Sequence, residues 1–160
     1  MVSISKATSA NIPEIFKMAD AIWHIHYINI ISSSQIDYML KKFYSPKAIK
    51  QAMNDGEIFY LIFTNDFPIG YISVINKGDE SWFINKFYIY TDIHRKGLGT
   101  LALGLLEELV KPKTFTLQVN RKNIKTINFY FKNGFIINEW ADFDIGNGYF
   151  MEDFVMIKKY

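Results

Sequence analysis

Phe87-Tyr88-Ile89-Tyr90-Thr91-Asp92-Ile93-His94-Arg95-Lys96-Gly97-Leu98-Gly99-Thr100 leads from a strand-like run into a helix-like one. The run Trp82 to Tyr90 predicts a strand, and Gly97 to about Val110 predicts a helix that Pro112 ends. Gly97 and Gly99 let the backbone curl closely around a ligand. The first N–H groups of a helix have no partner within it, and the helix dipole is positive at that end. A pyrophosphate suits such a site, and Arg95 and Lys96 add positive charge there. The competing reading is a plain glycine-containing turn with two solvated cations. The segment is neither a Walker A loop nor a dinucleotide fingerprint. No Gly-Lys-Ser/Thr closes it, and Ala102 stands where the third glycine of the G-x-G-x-x-G pattern falls.

Working outward, Val2 to Ala7 alternates as a first strand does. Ser9 or Asn11 caps a helix with Pro13 in its first turn and Ile12, Ile15, Phe16, Ala19, Ile22, Trp23 and His26 on one face. A second helical stretch over roughly Ser34 to Asp55 breaks near Ser45-Pro46. Ile58 to Phe63 and Ile69 to Ile75 follow as strands, with turns at Asn65-Asp66 and Asn76 to Asp79. In the helix after the glycines, Leu98, Leu101, Ala102, Leu105, Leu106 and Leu109 form an apolar stripe. Phe115 to Val119 predicts a strand and Asn123 to Lys132 a helix closed by Asn133-Gly134. Phe135 to Trp140 and Tyr149 to Ile157 predict two last strands, joined by a loop holding Asp144, Gly146, Asn147 and Gly148. This order describes an α/β protein, a central mixed sheet flanked by helices, in a single domain over 1–160.

Composition narrows the function. A net charge of +2 is far from the basic footprint of a nucleic-acid binder. No cysteine is present, which excludes disulfides, thiolate metal sites and a cysteine nucleophile. No apolar run approaches the ~20 residues of a membrane helix, and the N-terminus lacks a signal-peptide pattern. A cytoplasmic protein with no membrane, nucleic-acid or metal partner is expected.

A second segment joins the first: Val119-Asn120-Arg121-Lys122-Asn123-Ile124-Lys125-Thr126-Ile127-Asn128-Phe129-Tyr130-Phe131-Lys132-Asn133-Gly134-Phe135. Together the two resemble the signatures of the GNAT N-acetyltransferases. The first resembles Gln/Arg-x-x-Gly-x-Gly/Ala after a Leu-Tyr-Val-like tripeptide, here Phe87-Tyr88-Ile89. The second resembles V-x-x-x-N-x-x-A/S-x-x-F-Y-x-K-x-G-F. His94 departs from the usual Gln or Arg, and Thr126 from the usual small residue. The resemblance implies the GNAT fold, with acetyl-CoA as cofactor and an amine as acceptor. It implies that Phe87, Tyr88 and Ile89 bond the pantetheine arm through their backbone. It implies that His94, Arg95, Lys96, Gly97, Leu98, Gly99 and Thr100 hold the pyrophosphate, and that Asn123, Thr126 and Lys132 contact the cofactor. Tyr130 is then the general acid that protonates the departing thiolate. Tyr130 read as packing, Asn123 as a helix cap and Lys132 as a solvated cation remain the structural alternatives.

The resemblance leaves the base open. Relatives place a glutamate on the strand before the glycines, where this chain has Asn85. Ordered water is the first expectation, with Glu80, Glu139, Asp142 and Asp144 in reserve. Trp23, Tyr27, Tyr38 and Asn85 are the expected substrate residues. The Trp23…Tyr27…Tyr38 pattern and the Asp142 to Tyr149 stretch loosely resemble the PaiA-type polyamine acetyltransferases. A small-molecule amine, a polyamine, or a peptide N-terminus or lysine is the acceptor class this implies. The alternative is a non-catalytic CoA-binding regulatory domain. The aromatic final strands suit pairing across a homodimer as well as burial within one chain.

Overall fold

The computed structural model describes residues 1–93 and 97–160, so the expectations for His94, Arg95 and Lys96 lie outside the described residues. The elements are β1 (Val2–Lys6), α1 (Ile12–His26), α2 (Ser33–Tyr44), α3 (Pro46–Asn54), β2 (Ile58–Thr64), β3 (Phe67–Gly78) and β4 (Ser81–Ile89). There follow α4 (Leu98–Val110), β5 (Thr114–Asn120), α5 (Ile124–Lys132), β6 (Ile136–Gly146) and β7 (Tyr149–Lys159). The strands hydrogen-bond in the order β1-β2-β3-β4-β5-β7-β6. β4 and β5 run parallel, while β1–β2, β2–β3, β5–β7 and β6–β7 are antiparallel. The sheet is therefore mixed and flanked by helices, the predicted class.

The chain forms two compact units, Met1–Ile75 with Lys86–Lys111 and Asn76–Asn85 with Pro112–Tyr160. In the first, α1 buries Ile12, Ile15, Met18, Ala19, Ile22 and Trp23. Phe16, expected on the same face, stays 37% exposed because it lies at the stripe's margin. Ser45 ends α2 in an extended conformation and caps α3 through Ala48 N–H at 3.2 Å, with Pro46 next. One serine thus breaks the expected long helix and starts the next, a cap worth about 1 kcal/mol.

The α4 stripe turns out differently from its spacing. Ala102, Leu103 and Leu106 are buried, whereas Leu101 and Leu109 are more than half exposed. This helix is apolar on more than one face, so its periodicity alone does not choose which side packs.

Two expected turns also move. β3 continues through Asn76, Lys77 and Gly78, and the reversal falls on Asp79-Glu80, both at positive φ. The expected loop from Ala141 to Gly148 is mostly strand. Gly146 pairs with Tyr149, leaving Asn147-Gly148 as a two-residue turn with both φ positive. Such turns match the twist of paired strands, so the ladder extends to the shortest reversal available.

In the second unit β5 alternates cleanly, burying Phe115, Leu117 and Val119. Tyr130 packs edge-on against Phe135, ring centroids 5.3 Å apart, and its carbonyl accepts the Phe135 N–H at 3.0 Å.

Candidate functional site

The start of α4 differs from the other long helices. Ser32, Ser45 and Asn123 cap α2, α3 and α5 through side-chain oxygens, and Pro13 stands in the first turn of α1. The α4 N-cap is Gly97, at φ 95°, and among the described residues no side chain caps it. That φ is left-handed and costs a residue with a Cβ energy, so glycine is the natural occupant. Leu98, Gly99 and Thr100 form the first turn of α4, whose amides have no partner within the helix. Free amides at a helix start can accept an anion.

Just upstream, the β4 tip is seated by a second glycine. A Cβ on Gly70 of β3 would lie 2.1 Å from the Tyr88 carbonyl oxygen and 2.9 Å from Ile89 Cα. Only hydrogen at that position lets the Phe87-Tyr88-Ile89 backbone come so close. Tyr90 N–H donates to Ile69 O at 2.9 Å and continues the contact.

Tyr88 also closes an aromatic cluster. Trp23 stacks on Tyr27 at 4.3 Å and lies 5.8 Å from Tyr88, while Tyr44 and Tyr71 complete the group. The Tyr27 and Tyr88 hydroxyls are 3.5 Å apart. Trp23 Nε1 and the Tyr71 hydroxyl are buried with no hydrogen-bond partner among the described residues. Burial raises the Tyr44 and Tyr71 phenols well above their ordinary range, so both stay protonated. The structure thus joins the expected Trp23 and Tyr27 to Tyr88. Tyr38 instead accepts from Lys42 Nζ at 3.4 Å one turn along α2, and Asn85 is exposed.

Beneath that cluster lies a polar group that sequence reasoning missed. Lys86 Nζ donates to Glu57 Oε1 at 3.1 Å, and Ser73 Oγ donates to the same oxygen at 2.5 Å. The Lys86 ammonium also lies 5.3 Å from the Tyr44 ring and 5.5 Å from that of Phe59. Desolvation lowers the Lys86 pKa, and Glu57 opposes that shift. Lys86 sits inside an apolar strand pattern, and that was the one available signal.

In the second unit, Asn123 is buried and accepts the Thr126 N–H at 3.4 Å, so the cap reading of Asn123 holds. Tyr130 is 6% exposed on α5, Thr126 is half-buried, and Lys132 is exposed in the last turn. Glu80 pairs with Lys113, Asp142 with Arg121 at 2.8 Å, and Asp144 accepts the Gly146 N–H at 2.8 Å. These acids and Glu139 are all at the surface, engaged or not. Among the described residues no three potential metal ligands group together, and no helix is long and apolar enough to cross a membrane.

Residues 20–135 match the model of the Acetyltransferase (GNAT) family. The chain is a GNAT acetyltransferase. Its expected fold, reaction class and acetyl-CoA donor follow from that membership, which gives the non-catalytic alternative no support. The acetyltransferase is 25% identical to a spermidine N(1)-acetyltransferase of Thermoplasma acidophilum, over 99% of this chain and 98% of that one. Its fold is that of the PaiA N-acetyltransferase of the same organism, solved in complex with coenzyme A. The TM-score is 0.82 at 23% identity, covering 100% of this chain and 99% of the other. Arabidopsis thaliana Naa50, solved with the bisubstrate analogue CoA-Ac-MVNAL, matches at 0.68 and 19% identity over 99% of each chain.

Proposed function

We propose that the protein acetylates a primary amine of the polyamine class by direct attack on acetyl-CoA in a ternary complex. The single observation that carries the acceptor class is the end-to-end match to a spermidine N(1)-acetyltransferase. The aromatic group of Trp23, Tyr27 and Tyr88 supports it. Ring faces attract an ammonium, by about 0.5–2 kcal/mol depending on desolvation.

In this reading Gly97, Leu98, Gly99 and Thr100 bind the pyrophosphate through main-chain amides, with His94, Arg95 and Lys96 adding charge. The backbone of Phe87, Tyr88 and Ile89 holds the pantetheine arm, and Asn123, Thr126 and Lys132 bind the cofactor too. Tyr130 donates the proton that makes the thiolate a better leaving group. A phenol, with an ordinary pKa of about 10, is protonated and able to do so at neutral pH. Trp23, Tyr27, Tyr38 and Asn85 face the acceptor. We take the whole chain as one functional domain that works in the cytoplasm, with the β6–β7 aromatics available for a homodimer.

The test has two arms. Acetyl-CoA should raise the melting temperature, as any ligand selective for the native state does. Free-thiol release should then be followed with spermidine, spermine, single amino acids and a tripeptide with a free N-terminus. Turnover confined to the tripeptide would reject the polyamine assignment and favour N-terminal acetylation.

A further inference from the structure

We propose that the protein is a homodimer in which β6 of one copy pairs antiparallel with β6 of a second, centred on Ala141. The proposal takes up the homodimer of the reading above and gives it a definite interface, whichever amine is acetylated.

β6 ends the sheet order, and among the described residues β7 is its one neighbouring strand. An edge strand leaves a row of main-chain N–H and C=O groups open to another strand. Proteins ordinarily blunt such edges with lysine, proline or short length. β6 runs eleven residues, Ile136–Gly146, and contains neither lysine nor proline. On it Trp140 is 77% exposed, Ile136 63% and Ile137 40%.

The strand's own charges admit a second copy in one register. β6 carries Glu139, Asp142 and Asp144 and no cation. Two copies related by a two-fold axis offer each other the same surface. Facing residues of an antiparallel pair point to the same side of the sheet, and side chains alternate along a strand. The axis therefore passes through a residue that faces its own copy. Ladder irregularities between Ile137 and Glu139 and between Asp144 and Gly146 leave Glu139 to Asp144 as the regular stretch.

Like charges directly opposite each other destabilise a pair of strands. Centring on Glu139, Asp142 or Asp144 sets that acid against itself. Centring on Phe143 sets Asp142 against the partner's Asp144. Arg121 already holds Asp142 at 2.8 Å within the chain, so it is not free to bridge a second carboxylate. Centring on Trp140 sets Asp142 against the partner's Asn138, which lies in the first irregularity. Ala141 is the remaining centre. It sets Glu139 against the partner's Phe143 and Trp140 against the partner's Asp142, so no acid faces an acid. Ala141 faces itself with the smallest side chain of the stretch. The two Trp140 residues stand on the diagonal, about 7–8 Å apart, within reach of each other's rings. Pairing continues the ladder and covers the exposed indoles.

The chain has no cysteine, so an introduced thiol reports only on its own surroundings. Facing Cα atoms lie about 4.5–5.5 Å apart, within the span of about 4.4–6.8 Å that a disulfide bridges. Ala141→Cys should therefore give a disulfide-linked dimer under mild oxidation. Ile136→Cys should not, because its own copy lies ten residues along the strand, about 34 Å away. Light scattering should give wild type twice the chain mass. Ala141→Asp sets two carboxylates face to face and should give the mass of one chain. Should Ala141→Asp fail to fold, Glu139→Cys and Phe143→Cys supply the same answer, cross-linking when the two variants are mixed and neither alone. A wild type with the mass of one chain overturns the dimer here and in the reading above, and leaves the edge to a strand from another protein. A dimer in which Ala141→Cys links no better than Ile136→Cys overturns this interface alone. These measurements need neither acceptor nor acetyl-CoA. A failure to acetylate polyamines, which defeats the earlier acceptor assignment, leaves them untouched.

Discussion

Lys86 Nζ lies 3.1 Å from Glu57 Oε1, with both side chains 7% exposed. The pair ties β4 to the start of β2, and Ser73 adds β3 through the same carboxylate. A buried ion pair gains little over well-packed apolar residues, but breaking one side strands a charge. Glu57→Met should therefore cost about 3–5 kcal/mol in urea unfolding. The double variant Glu57→Met/Lys86→Met should cost far less than the two single changes summed. Additive losses would mean that the two groups do not act as a pair.

The approach of Tyr88 to Gly70 makes a sharper prediction. Gly70→Ala puts a methyl 2.1 Å from a backbone oxygen, so β4 must shift. Overpacking of this kind costs about 1–3 kcal/mol. Because the displaced backbone is the one assigned to pantetheine, KM for acetyl-CoA should rise with the loss of stability. An unchanged KM in a folded Gly70→Ala protein would detach Tyr88 from cofactor binding.

Tyr130→Phe isolates one oxygen. The ring's packing on Phe135 survives the change, so the melting temperature should move little. As general acid the phenol contributes about 100-fold or more to kcat. Loss of kcat with acetyl-CoA affinity intact is the expected pattern. A full wild-type kcat would return Tyr130 to a packing role.

His24 links α1 to α2 and senses pH. Its Nδ1 faces the Asp20 carbonyl at 2.8 Å and its Nε2 faces Asp37 Oδ1 at 3.2 Å. The Asp20 carbonyl and then the Asp37 carboxylate raise its pKa above 6.5. The folded protein thus binds the proton more tightly than the unfolded chain. The contribution to stability is complete below about 6.5 and fades as pH rises through the raised value. His24 is 44% exposed, so solvent screening keeps the effect under about 1 kcal/mol. His24→Gln should flatten this part of the stability–pH curve, read by urea unfolding at a series of pH values.

Much of this was legible because it is local. The glycines after β4, the Ser45-Pro46 break and the Asn133-Gly134 closure act within a few residues. Strand limits were less so. Asn76 and Gly78 are better turn formers than Asp79 and Glu80, yet the chain reverses at the latter pair. β3 and β4 are neighbours in the sheet, and pairing is a property of two segments. The site divides the same way. Gly97 and Asn123 begin their helices where their motifs put them, whereas nothing local in the sequence marks Glu57 as buried. Burial of a charge has no local pattern.

The sequence by itself determined the family, the order of elements and helix boundaries such as Ser45-Pro46 and Asn133-Gly134, because backbone preference and periodicity are written residue by residue. Only the tertiary structure decided which face of α4 is buried, where β3 ends, and which carboxylates lie away from water. Those outcomes depend on what packs opposite each side chain, and residues far apart in the chain supply it.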